Sequence, residues 1–273
     1  MIIVAGGCSF IFGAELADQH MGISSRSTYP ALIAKDAGAE YICAARSGNA
    51  NNAISRMVMN QCQSLAGQEI FVIVQWTFSC RFEFLFNYKI GKDYWYSVNP
   101  WDNHDDVSPI AEQISGDPAI LAHHVNHFNT IKNTGLGDFS KMFFKHVGDN
   151  EQYETYAMMK EVLFLQQYLK ANNIKYLFTF ADNHIHPENP KFQEDRYIND
   201  INTKTLTAQI DWDKVFTFPK GKGLDQIEQP RGFYQWAVEN KYPVGTTHPL
   251  EEAHLDAAKL MQEKFNELVK KSI

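Results

Sequence analysis

The stretch MIIVAGGCSFIFG, residues 1–13, reads as a buried strand running into a glycine-flanked serine, and the rest of the chain can be placed around it. Ile2, Ile3, Val4 and Ala5 form the short apolar run that a parallel strand covered on both faces requires, and Gly6 and Gly7 end it. Ser9 then falls in the turn. The residues that follow, up to Ala14 and Glu15, can open a helix, so the backbone N–H groups around Ser9 would point into the same crevice as its hydroxyl. Such a crevice can hold an oxyanion. A tight turn with a capping serine is the purely structural alternative.

Outward from this stretch the strand-then-helix pattern repeats. Residues 28–38 (TYPALIAKDAG) predict a helix with Pro30 in its first turn and Gly38 at its end. Residues 40–45 (EYICAA) predict a second strand, closed by the polar turn 46–52 (RSGNANN) before a helix over 53–65. A third and clearly buried strand spans 69–76 (EIFVIVQW), and Gln75, Trp76, Thr77, Ser79, Arg81 and Glu83 crowd its end. Between 82 and 149 the periodic signals fade. Aromatic residues there, among them Tyr88, Tyr94, Trp95, Tyr96 and Trp101, interleave with Asn, Asp, Gly and Pro, the composition of an insertion or lid over the strand ends. Its histidines, His104, His123, His124 and His127, with Asp105 and Asp106, raise a metal site as an alternative. The general-base Glu of the HExxH pattern is missing, and no metal is expected.

Helical periodicity returns over 150–173, with Tyr156, Met159, Val162, Leu163, Leu165 and Leu169 on the buried face. Residues 174–181 predict a fourth strand, 214–218 a short fifth, and 232–240 a helix. A last helix runs over 250–270, with Pro249 at its start and Glu251 and Glu252 in its first turn. His248 stands immediately before it, where its ring can face the strand ends. A helix-capping histidine is the bland alternative.

Three short blocks together resemble the SGNH, or GDSL, hydrolases. Gly7 to Gly13 resembles their Gly-Asp-Ser-x-x-x-Gly opening block, with Cys8 in place of Asp; the elbow of the α/β-hydrolases fits less well, since Ile11 stands where it requires Gly. Gly48 matches the glycine of the second block and Asn51 the asparagine after it. His248-Pro249 and Ala253-His254 match the closing block. The resemblance implies Ser9 as nucleophile and His248 as general base, with Gly48, Thr77 and Asn51 at the oxyanion. Trp76, Gln75 and Arg81 are then expected to line the substrate pocket. Two departures fall on positions with a role in the chemistry: Thr77 stands where the third block has its donor Asn, and Gly245 where the last block has its acid. Asp182, Glu83 and Glu251 are the candidate substitutes for that acid, as is a backbone carbonyl.

The 273 residues suit one α/β domain carrying the 82–149 insertion. The expected architecture is doubly wound and flavodoxin-like, a three-layer α/β/α fold with about five parallel strands. A formal net charge of -7 and the lack of any basic stripe exclude a nucleic-acid partner, and no apolar run is long enough for a membrane span. The four cysteines have no CxxC spacing and read as free thiols. Because the first strand begins at Met1, a cytoplasmic protein without a secretory signal is expected. The function expected is hydrolysis of an acyl ester on a small molecule or carbohydrate, possible without a cofactor; O-deacetylation of a carbohydrate is the first choice. The alternative is a catalytically degenerate member of the same fold that binds a glycan or a protein partner. No motif sets the oligomeric state.

Overall fold

A computed structural model describes residues 1–20, 22–88, 92–100, 135–182, 186, 200–222 and 228–270. In chain order the strands are β1 (Ile2–Gly6), β2 (Glu40–Cys43), β3 (Ile70–Trp76), β4 (Phe82–Tyr88), β5 (Lys92–Val98), β6 (Lys175–Phe180), β7 (Phe218–Lys222) and β8 (Glu228–Arg231). The helices are α1 (Ser9–Phe12), α2 (Tyr29–Asp36), α3 (Asn51–Ser64), α4 (Leu136–Phe143), α5 (Glu151–Ala171), α6 (Ile201–Thr207), α7 (Phe233–Glu239) and α8 (Glu251–Lys270). Four strands make one parallel sheet in the order β2-β1-β3-β6.

Strand alternation sorts the core into two layers, because successive side chains point to opposite faces. Ile3 and Ala5 of β1, Phe71 and Ile73 of β3 and Leu177 of β6 join α2, α7 and α8 through Ile33, Phe233, Trp236 and Phe265. Ile2, Val4, Val72, Val74, Trp76, Tyr176 and Phe178 face the other way, onto Ile54 and Val58 of α3 and Met159, Val162 and Leu165 of α5. Both faces are thus covered, which is why β3 is buried at every position. The layers are those of a doubly wound α/β/α fold.

The chain leaves β1 for β2 on one side and later returns to β3 on the other. The order reverses between β1 and β3, and the carboxyl ends of these strands open a crevice there. Ser9 lies at that point, one residue beyond the N-cap Cys8 of the single-turn helix α1. Gly13 ends this turn with φ of 79°, a left-handed conformation that a side chain would disfavour. In that place a Cβ would also press on Ser25 and Thr28.

The expected fifth strand over 214–218 is reduced to one parallel bridge. Residues Trp212–Lys214 form a 3-10 turn, Val215 bridges Phe178, and the Phe216 N–H donates to the Phe178 carbonyl at 2.7 Å. From Phe218 the chain turns away to pair antiparallel with β8, and Pro219 inside β7 cannot donate to a sheet ladder. Within the expected insertion, Phe82–Tyr88 and Lys92–Val98 pair as antiparallel strands anchored on the start of α3. Asn52 donates to the Glu83 carbonyl at 2.8 Å and accepts from its N–H at 2.9 Å, while Ser97 Oγ accepts from the Ala50 N–H at 3.1 Å. Most of the remaining insertion, including His104, His123, His124 and His127, lies outside the described residues. Among the described residues no helix is long and apolar enough to cross a membrane.

Candidate active site

Two loops from opposite ends of the chain meet at the β1 rim. After α7 the chain makes a tight turn in which the Gly245 N–H donates to the His248 carbonyl at 2.9 Å and Val244 bridges Pro249. This turn delivers His248 to the start of α8. Its Nε2 lies 2.8 Å from Ser9 Oγ, and its Nδ1 lies 2.8 Å from Glu15 Oε1. Ser9 is 7% exposed, so it is sheltered at the rim.

The state of the ring follows from the partner behind it. Burial raises the Glu15 carboxyl, but the His248 hydrogen bond and charge and the N–H groups of Thr247 and Thr246 outweigh it, leaving Glu15 below its ordinary range and ionised at neutral pH. A carboxylate only accepts. The Nδ1 nitrogen therefore carries the proton, and Nε2 is left as the acceptor for the Ser9 hydroxyl. Thr247 fits the same polarity, its N–H and its Oγ1 both lying 3.3 Å from Glu15 oxygens.

None of the three carboxylates expected to stand in for the missing acid touches the ring. Glu83 is clamped by Arg56, with Nε–Oε2 at 3.0 Å and Nη2–Oε1 at 2.6 Å. Asp182 accepts from Gln235 Nε2 at 2.7 Å. Glu251 accepts the Ala17 N–H at 2.7 Å, which straps the loop after α1 to the first turn of α8. Sequence reasoning passed over Glu15 because it stands outside the Gly-x-Ser block; its position six residues after Ser9 was visible, but its reach to the far terminus was not.

The β3 end is built differently from expectation. Gln75 and Trp76 are fully buried, Trp76 packing edge-on to Phe178 with centroids 5.4 Å apart, so both are interior residues and not walls of a surface pocket. The Asn51 amide is spent on the backbone: Oδ1 accepts the Thr77 N–H at 2.9 Å, and Nδ2 donates to the Thr77 and Phe78 carbonyls at 3.4 and 3.2 Å. It holds the β3 end and has no donor to offer an oxyanion. Thr77 Oγ1 is buried without a hydrogen-bond partner among the described residues. Gly48 sits exposed at the tip of the turn after β2, with φ of 79°.

An aromatic wall that the sequence did not reveal flanks the serine. Phe10 stands edge-on to the His248 ring at 5.2 Å, stacks on Tyr234 of α7 at 5.7 Å and meets Phe78 at 6.4 Å. The Arg81 guanidinium lies over Phe78, 5.2 Å from the ring centre. A cavity of about 200 Å³ lies among α3, β4 and α5, lined by Arg81, Asn52, Ser79, Glu83, Tyr153 and Glu161 among others; Ser9, His248 and Glu15 are not among its walls. His254, the match to the trailing Gly-His, is a core residue. It stacks on Tyr29 and its Nδ1 accepts the Tyr29 N–H at 3.3 Å, satisfying the start of α2. Among the described residues no three His, Cys, Asp or Glu side chains group as metal ligands.

Serine at the end of β1, histidine before the last helix and strand order 2-1-3 around the crevice are now together on one frame. This is the doubly wound α/β/α frame that the resemblance to the SGNH hydrolases implied. No family model matches the chain, and no curated protein matches its sequence. Among solved structures it is similar to the psychrotrophic esterase EstA from Pseudoalteromonas sp., at 11% identity and TM-score 0.45 over 99% of both chains. It is also similar to the acetyl xylan esterase Est2A from the rumen bacterium Butyrivibrio proteoclasticus, at 12% identity and TM-score 0.44, over 98% of this chain and 64% of that one. A lipolytic protein of the G-D-S-L family from Desulfitobacterium hafniense matches at 11% identity and TM-score 0.30, over 98% of each chain.

Proposed function

We propose that the protein is a serine hydrolase that cleaves an acyl ester, with Ser9 as nucleophile and His248 as general base. The observation that carries this reading is the 2.8 Å contact between Ser9 Oγ and His248 Nε2 across 239 residues of chain. A capping serine and a capping histidine have no reason to meet in this way. Ser9 Oγ attacks the ester carbonyl while its proton passes to Nε2; the imidazolium then returns that proton to the leaving alcohol. Water repeats the sequence on the acyl-enzyme and frees the acid. The N–H of Ser9, in the first turn of α1 where no intrahelical acceptor exists, and the N–H of Gly48 are the donors proposed for the oxyanion.

The substrate class proposed is a carbohydrate carrying a small acyl group, as in O-deacetylation. Support comes from the wall beside the serine: the half-buried rings of Phe78 and Tyr234, held from behind by the buried Phe10, suit the faces of a sugar, and the Tyr234 hydroxyl and Arg81 guanidinium suit its oxygens. Purified protein is expected to hydrolyse p-nitrophenyl acetate and to be labelled at Ser9 by a fluorophosphonate. Failure of both would remove the mechanism.

A second reading is a binding module for a glycan on the same frame. It is favoured by the β3 end, where the Asn51 amide is turned onto the backbone and the Thr77 hydroxyl is buried, so that neither side chain expected to aid the oxyanion is exposed at the rim. Binding of acetylated oligosaccharide without turnover by the wild-type chain would select it.

A further inference from the structure

Glu15 and Gly245 are complementary. We infer that the acid behind the catalytic histidine has changed seats, from the position three residues before His248 to Glu15 in the loop after α1, and that Gly245 is glycine because the Glu15 carboxylate fills the space its side chain would take. The inference rests on the hydrolase reading and extends it by one positioning residue.

Three observations converge on it. Glu15 Oε1 lies 2.8 Å from His248 Nδ1, on the ring nitrogen that Ser9 does not use. A Cβ built on Gly245 would overlap Glu15 Oε2 and come within 3.2 Å of its Cδ, so a side chain at 245 would displace the Glu15 carboxylate from the place it holds against the ring. Glu15 also holds φ at 70°, a left-handed conformation costly for a residue with a side chain. Such a backbone persists where the surroundings over-determine it. Here they are the strap from the Ala17 N–H to Glu251 at 2.7 Å and the Thr247 contacts to both Glu15 oxygens at 3.3 Å.

The carboxylate acts through the ring, not on the substrate. As acceptor from Nδ1–H it fixes the tautomer that leaves Nε2 free for the Ser9 proton, and its charge favours the imidazolium formed in the attack. Because the acid and the nucleophile now share one loop, a single backbone segment sets the positions of both, and the histidine is the only partner that arrives from the far terminus.

The test compares the wild type with Glu15→Ala, Glu15→Gln and the double variant Glu15→Ala/Gly245→Asp, using p-nitrophenyl acetate turnover, fluorophosphonate labelling and the low-field proton resonance of His248 Nδ1–H. Glu15→Ala and Glu15→Gln are expected to lower kcat by about 10²- to 10⁴-fold with KM within about threefold. Glu15→Gln keeps the shape of the loop and guards against loss of the fold. The double variant, with the acid returned to the other seat, should recover at least about tenfold over Glu15→Ala, and the low-field proton lost in Glu15→Ala should reappear. Either single variant turning over within about twofold of the wild type overturns the inference, as does a double variant no better than Glu15→Ala. A wild type that neither turns over nor is labelled sinks the hydrolase reading; the low-field proton, present in the wild type and lost in Glu15→Ala, would then still support the placement of Glu15, and its absence from the wild type would overturn it.

Discussion

At the β1 end of the rim, Ser9, His248 and Glu15 are joined side chain to side chain by contacts of 2.8 Å, whereas at the β3 end Gln75, Trp76 and Thr77 are buried and the Asn51 amide is spent on backbone. On the proposed function the first end moves a proton. The second keeps a strand end in place, and on the same proposal the stabilisation of developing charge falls to N–H groups of the main chain. Side-chain substitutions should therefore act through chemistry at one end and through stability at the other.

The sharpest way to break this contrast is at the proposed nucleophile and its base. Ser9→Ala and His248→Ala are each expected to lower esterase turnover by about 10³-fold or more, with thermal unfolding little changed, because Ser9 is small and the His248 ring meets the core only edge-on at Phe10. Turnover on p-nitrophenyl acetate together with a melting curve checks this. Retained turnover in either variant would place the chemistry elsewhere.

His254 provides the next largest effect, on stability. Burial, and behind it the charge of His248, pushes its imidazole down to about 3, so the folded chain keeps it neutral. The unfolded chain binds a proton near the ordinary histidine value, about 6.5. The unfolded state thus gains protons first on acidification, and stability falls as pH drops from about 6.5 towards 3. A His254→Gln variant should lose this slope while keeping an acceptor for the Tyr29 N–H. Urea midpoints measured at pH 7 and pH 5 test it: the wild type loses more stability than the variant between the two.

Asn51→Ala then probes the β3 end directly. It strands the buried Thr77 N–H and should cost about 1–3 kcal/mol in unfolding free energy. A comparable loss of turnover at full folding, without loss of stability, would instead return Asn51 to the oxyanion.

How much of this was legible follows from what each feature depends on. β3 and α5 stood out because burial on both faces and a 3.6-residue period leave direct marks in composition. The meeting of Ser9 with His248 was implied by the resemblance of their two blocks to the SGNH hydrolases, since a strand end and a helix start alone fit capping residues as well. Glu15 could not be reached that way. Its role depends on a positive φ and on the space above Gly245, and neither is encoded in spacing. The fifth strand was overread because VFTF looks apolar enough to pair, while Pro219 and the 3-10 turn at Trp212–Lys214 leave room for only one bridge. Asn51 and Trp76 were placed on the correct strand ends, but which way a side chain turns there is decided by tertiary packing.

The finest test of the contrast is Thr77→Val, where the two ends predict opposite signs. Thr77 is 1% exposed and its Oγ1 has no hydrogen-bond partner among the described residues, so the hydroxyl carries the cost of desolvation with nothing returned. Replacing it with a methyl of similar size should leave turnover within about threefold and raise stability by up to about 1 kcal/mol, the sign expected when a buried, unsatisfied group is removed. Were that hydroxyl a third donor to the oxyanion, the same change would lower kcat by about 10²–10³-fold and leave stability alone. Measuring kcat and the urea midpoint on one preparation separates the two, because the backbone-only oxyanion site requires both small numbers at once.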